Sequence, residues 1–136
     1  MDRRLIEEKL EALRCCVVRI EQKRPATSAA LASDPDVQDI LALNLTRAVQ
    51  LCVDIAAHII AESPAVAPTT MGEAFDTLGT LQVLDSELAG RMKKAVGFRN
   101  IAVHSYLVID WEIVHEIAHR HVEDFKSFAR AVAKAL

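Results

Sequence analysis

Glycine and proline are scarce in this 136-residue chain, four of each, and aromatic side chains make up only 4% of it. Strands draw on aromatic residues and sheets on turn formers, so the shortage of both excludes a β-rich architecture and favours helices, as does the abundance of Ala, Leu and Val. Cysteine is sparse too. Cys15, Cys16 and Cys52 are odd in number and follow no metal-ligand spacing, which points to buried, reduced thiols rather than a disulfide framework or zinc site. No stretch of about 18 consecutive uncharged apolar residues occurs, so no membrane span is expected. Met1-Asp2-Arg3-Arg4 leads into a charged amphipathic segment rather than a secretory leader, and a cytoplasmic location is expected. The net charge of −3 argues against a nonspecific coat for nucleic acid. A local absence says more. Between Leu88 and Ile109 there is no acidic residue at all, while Arg91, Lys93, Lys94 and Arg99 fall there.

The length suits a single domain over residues 1–136 with a real core. Apolar residues at helical spacing (Leu5 or Ile6, Leu10, Leu13, Cys16 or Val17, Ile20) define a first helix over about 2–24. Pro25 and the small residues up to Ser33 end it. Asp34-Pro35 is an N-cap followed by proline at the first helical position, opening a long helix that can run to Ser63 before Pro64. One face of it carries Val37, Leu41, Leu45, Ala48, Cys52, Ile55 and Ile59, and a second flank Val49, Val53, Ala57 and Ile60. A helix apolar around most of its girth is central in the fold or also buried in a partner, a first hint of a dimer. Thr70 and Glu73 have capping-box spacing for a short helix ending at Gly79. Asp85 or Ser86 caps the next, and Asp110 the last, over about 111–135. Four longer helices and one short one, joined by short loops, predict an all-α antiparallel bundle.

The stretch Gly97-Phe98-Arg99-Asn100-Ile101-Ala102-Val103-His104-Ser105-Tyr106 gathers an arginine, a histidine and a phenol within eight residues. Arginine clamps phosphate with a fixed fork of donors, and histidine moves protons near neutral pH. Together they suggest phosphodiester chemistry without a metal. On an unbroken helix Arg99 and His104 would lie about 140° apart, while Asn100 would share a face with His104 and Arg99 with Tyr106. Either the helix ends or loosens near His104, or a second copy completes the site. Spacing leaves both open, and helix ends also carry Arg, His or Tyr for ordinary reasons.

The order Arg-Asn, three residues, His, one residue, Tyr resembles the signature of the HEPN superfamily, and of its HepT-like toxins in particular. Val53-Asp54-Ile55-Ala56-Ala57-His58-Ile59 is similar to a pattern in the second helix of those proteins, and Glu73-Ala74-Phe75 and Glu123-Asp124-Phe125-Lys126-Ser127-Phe128 also fit them. Ser105 departs from the family, which often has an acidic residue there. The resemblance implies a homodimer of helical bundles whose two signatures converge on one cleft. It implies a metal-independent endoribonuclease, the toxin of a type VII-like toxin–antitoxin system, working without a cofactor. Its partner would be a minimal nucleotidyltransferase antitoxin that silences it by transferring AMP to Tyr106. Carried over, Arg99 and His104 are the catalytic pair, with Asn100 and Asp54 in support. The basic residues Arg91, Lys93 and Lys94 would then contact RNA. On the residues alone, Asp54 and His58 also read as an ordinary solvated i,i+4 pair close to Arg47.

A rival motif is His115-Glu116-Ile117-Ala118-His119, which matches the HExxH of zinc hydrolases. Its two histidines share a helix face, but the usual position for a third ligand falls on Phe125, and His121 points elsewhere. An exposed polar face, with adventitious zinc or nickel binding at most, is the better account, and no metal site is expected. The reading opposed to a ribonuclease is a noncatalytic helical module whose cleft holds a nucleotide or a partner. A metal hydrolase is a more remote one.

Overall fold

The structure, a computed structural model, describes residues 2–136, all of whose regular elements are helical. The helices are α1 (Arg3–Lys23), α2 (Ser28–Ala32), α3 (Pro35–Ala61), α4 (Met71–Thr80), α5 (Ser86–His104), α6 (Trp111–Glu116) and α7 (Val122–Ala135). A 3-10 turn at Tyr106–Val108 joins α5 to α6, and a π turn at Ile117–His121 joins α6 to α7.

Predicted caps form where the sequence puts them. Asp34 accepts from the Val37 amide at 3.2 Å and Asp85 from the Leu88 amide at 2.7 Å. The capping box of α4 is displaced by one residue: Thr70 accepts from the Glu73 amide, but the Glu73 carboxylate returns to the amide and hydroxyl of Thr69. Those bonds hold its pKa below the ordinary value. Three expectations change. The small-residue stretch holds a helix of its own, α2, capped by Thr27 and pinned by the fully buried Leu31. Gly79 does not break α4, which runs on to Thr80, and the reversal falls on Gln82 at φ 62°. Of the thiols, Cys16 and Cys52 are buried and their pKa values pushed up by desolvation, but Cys15 is exposed.

α3 is the axis of the bundle. It packs on α1, α2, α4, α5, α6 and α7, and Leu41, Leu45, Ala48, Cys52 and Ile55 are sealed from solvent. Its excess apolar surface therefore serves the chain's own fold. By length and composition alone α3 is long and apolar enough to cross a membrane, a test that the core helix of a bundle also passes. Half of its most apolar stretch is nonetheless buried inside the bundle, as befits a core helix. Opposite it, Phe75 of α4 meets Phe128 of α7 edge to face, centroids 5.9 Å apart.

Candidate functional site

Helix α5 gives fully buried side chains to the core only as far as Val96; beyond it Phe98 still packs against the core but is only partly buried. Leu88, Ala89, Met92 and Val96 point into the core, and from Gly97 to Ile113 no residue is buried. The signature lies in this outer stretch. α5 stays regular to its end, where the Ser105 amide donates to the Ile101 carbonyl at 2.8 Å. Arg99 and His104 thus remain about 140° apart around the helix. Ser105 closes it with φ −144° and ψ 45°, and the chain turns through Tyr106–Val108.

Arg99 is half-buried. One guanidinium nitrogen, Nη1, donates to Asn100 Oδ1 at 3.2 Å, while its buried Nε has no partner. An unpaired buried donor of a permanent cation costs free energy, so it marks a place where an anion is welcome. Asn100 steers the guanidinium. His104 stands exposed one turn beyond Asn100. Tyr106 does not align with Arg99 as an unbroken helix would have it. The 3-10 turn carries it to α3, where its hydroxyl donates to Asp39 Oδ1 at 2.5 Å and its ring meets Trp111 edge-on at 6.0 Å. Desolvation first, then the bond to Asp39 and the carboxylate's charge, push the phenol's pKa up to about 12. Around this set Ile101, Val103, Val108, Ile113 and above all Leu107, 98% accessible, form an uncovered apolar surface. It continues into a cavity of about 520 Å³ bounded by α3, α5, α6 and the π turn.

Other predicted site residues fall elsewhere. Asp54 accepts from Gln50 at 2.9 Å, pairs with Lys9 at 3.7 Å and lines a separate groove between α1 and α3. Along α3 it lies about 22 Å from Asp39, at about 1.5 Å per residue. Within one chain it is not brought to the signature. The basic patch is partly neutralised: Arg91 is tied to Asp124 at 2.9 Å, and Lys93 to Asp76 at 2.8 Å. Of the three, Lys94 alone makes no ion pair among the described residues, and it edges the cavity. Asp39 was not foreseen, because an acidic residue in the second turn of a helix ordinarily does no more than favour the helix dipole.

At the rival motif, His115 and His119 stack with centroids 4.3 Å apart, and His119 Nε2 binds the Pro25 carbonyl at 2.8 Å. Glu116 is exposed. Among the described residues no group of three or more His, Cys, Asp or Glu could hold a metal ion.

An only partly buried helix end that bears an arginine, a histidine and a pinned phenol on an otherwise well-packed helical bundle defines a class. A model described as Ribonuclease HepT-like matches residues 7–132, and the chain belongs to the HepT-like ribonuclease family. It is 33% identical over 124 residues, 91% of this chain and 92% of the relative, to the mRNA nuclease HepT of Shewanella oneidensis. Among solved structures it is similar to the tri-AMPylated HEPN toxin of that organism in complex with MNT antitoxin, at 32% identity, TM-score 0.90 and full coverage of both chains. A toxin–antitoxin crystal structure with AMP-PNP matches at 32% identity and TM-score 0.89, covering 96% of this chain and 98% of the other.

Proposed function

We propose that this chain is the toxin of a type VII-like toxin–antitoxin pair, a metal-independent endoribonuclease that works as a homodimer. The observation that carries the reading is the outer stretch from Gly97 to Ile113, where Arg99, Asn100 and His104 sit on a surface with no buried residue and a rim of uncovered apolar side chains. Such a rim suits a second copy of the chain. The 140° between Arg99 and His104 also suits a cleft completed from two chains.

Cleavage begins at the histidine. His104 takes the proton of a ribose 2′-hydroxyl, the freed oxygen attacks the adjacent phosphorus, and the bond to the 5′-oxygen breaks, leaving a 2′,3′-cyclic phosphate and a 5′-hydroxyl that takes its proton from water. Arg99, with its unpartnered Nε, steadies the charge that gathers on the phosphoryl oxygens. The need for a 2′-hydroxyl makes the substrate RNA. Lys94 is the cation free to meet the RNA backbone, with Arg91 and Lys93 contributing once released from Asp124 and Asp76. Asp54 supports the fold of α1 on α3 from a distance. Tyr106 is the acceptor of AMP from a minimal nucleotidyltransferase antitoxin. The added phosphate and nucleoside would place charge and bulk at the cleft rim and silence cleavage. The solved relative that carries AMP groups beside its MNT antitoxin supports this.

The test is RNA cleavage by purified protein with excess EDTA, compared with Arg99→Ala and His104→Ala. Cleavage that resists EDTA and is lost in both variants is the expected result. Cleavage that survives in both removes the site. A second reading, a nucleotide-binding module, draws on the apolar cavity beside Lys94. It predicts tight nucleotide binding with no cleavage by any variant.

A further inference from the structure

Across the whole outer stretch, Tyr106 carries the one side-chain hydrogen bond to another helix among the described residues. The bond is short and its acceptor is a carboxylate, Asp39 Oδ1 on α3, 67 residues away in sequence. A surface tyrosine has water to bond with and needs no such partner. Here its ring is also held edge-on by Trp111, so three elements (the 3-10 turn, α3 and α6) fix where the phenolic oxygen lies and where its proton points.

We propose that Asp39 is the positioning residue for AMP transfer to Tyr106, holding the phenol as the nucleophile and accepting its proton as the new bond forms. This rests on the reading of Tyr106 as the acceptor. The balanced step uses a nucleoside triphosphate presented by the nucleotidyltransferase. Tyr106 Oη attacks the α-phosphorus, the bond from that phosphorus to the bridging oxygen breaks, pyrophosphate leaves, and the phenolic proton passes to the Asp39 carboxylate. A carboxylate that orients a hydroxyl and accepts its proton in phosphoryl transfer is an established solution in kinases. There the enzyme supplies the carboxylate; here the protein to be modified brings its own.

The need for it arises from the site. With its pKa raised, by desolvation first and then by Asp39 itself, the phenol carries very little phenolate at neutral pH. Attack by pre-formed phenolate would therefore be slow, and a proton acceptor already in line removes that limit. Beside desolvation, which is the larger cause, Asp39 is the charged group that acts on the phenol.

Because Tyr106 is the only tyrosine of the chain, both parts of the proposal can be read directly. Absorbance near 295 nm against pH follows this one phenol, and Asp39→Asn should lower its midpoint from about 12 while leaving the part of the rise that desolvation causes. AMP incorporation is then timed by intact mass with the nucleotidyltransferase, Mg²⁺ and ATP, for wild type, Asp39→Asn, Asp39→Glu and Tyr106→Phe, between about pH 6 and 9. The expected result is a slowing of roughly a hundred-fold in Asp39→Asn. Its rate should climb about ten-fold per pH unit, against a flat wild-type profile, with much of the rate restored in Asp39→Glu. If Asp39→Asn lowers the phenol's pKa yet is modified at the wild-type rate, Asp39 is a structural staple and the proposal fails. It fails equally if the variant is slow but keeps the wild-type pH profile. If wild type gains no AMP, or Tyr106→Phe gains as much, the acceptor reading falls and takes this proposal with it. The absorbance titration still reports whether the pair exists.

Discussion

The two halves of α5 contrast more than any other neighbouring segments of the molecule. Before Val96 the helix gives side chains to the core, and Val96 is the last of them; from Gly97 on, through the turn and into α6, nothing is buried until Val114. The first half serves the fold, and the second carries the proposed site. Core substitutions should therefore move stability, and substitutions in the outer half should move activity, AMP transfer or association with little change in Tm.

The largest effect should come from Arg99→Ala and His104→Ala, each lowering RNA cleavage by about 10² to 10⁴-fold. Thermal unfolding of both should stay near wild type; a collapse in Tm would mean that the outer half holds the fold after all. Met92→Ala, in the buried half, is the counterpart. It should cost about 2–5 kcal/mol in denaturant unfolding, with residual activity following the folded fraction. Next comes Leu107→Asp. Its side chain contributes nothing to the core of one chain, so it should leave unfolding at low concentration unchanged. Sedimentation should nevertheless show a dimer weakened by roughly ten- to a hundred-fold, the worth of one buried leucine. A wild type that is monomeric at micromolar concentration would count against the assembly. Smaller still is His119→Ala, which removes the bond to Pro25 and should lower stability by about 1 kcal/mol. Glu116→Gln should change neither cleavage nor Tm, whereas a metal hydrolase built on that helix would lose its general base.

How much of this was written in the sequence depends on range. Caps at Asp34 and Asp85 and the buried stripe of α1 arise from neighbours three or four residues apart, and local rules suffice to read them. Ile6, Leu13 and Ile20 are buried as their spacing demands. The five-residue α2 was missed because a single apolar residue, Leu31, makes no period. Tyr106 was legible as a candidate through its place in the motif, but not its partner, since no rule links a 3-10 turn to an aspartate on a helix far upstream. The same limit applies to Arg91 and Lys93. Their charge was plain, but Asp124 and Asp76, which engage them, come from other helices. Asp54 was drawn to the signature by family pattern, while its neighbours Lys9 and Gln50 keep it in the groove between α1 and α3.

The π turn at Ile117–His121 has a consequence for how the chain can change in length. It accommodates one residue more than an α-helical turn, and each residue of a helix rotates the downstream chain by about 100°. Because the turn takes up that residue without passing the rotation on, deleting one residue there would restore an unbroken α-helix and leave Val122, Phe125, Phe128 and Val132 on the core face that they now fill. An extra residue of this kind is gained or lost locally, because the bulge takes it up without disturbing the downstream stripe. Relatives with and without the turn should therefore differ in length there but keep the phase of their last helix.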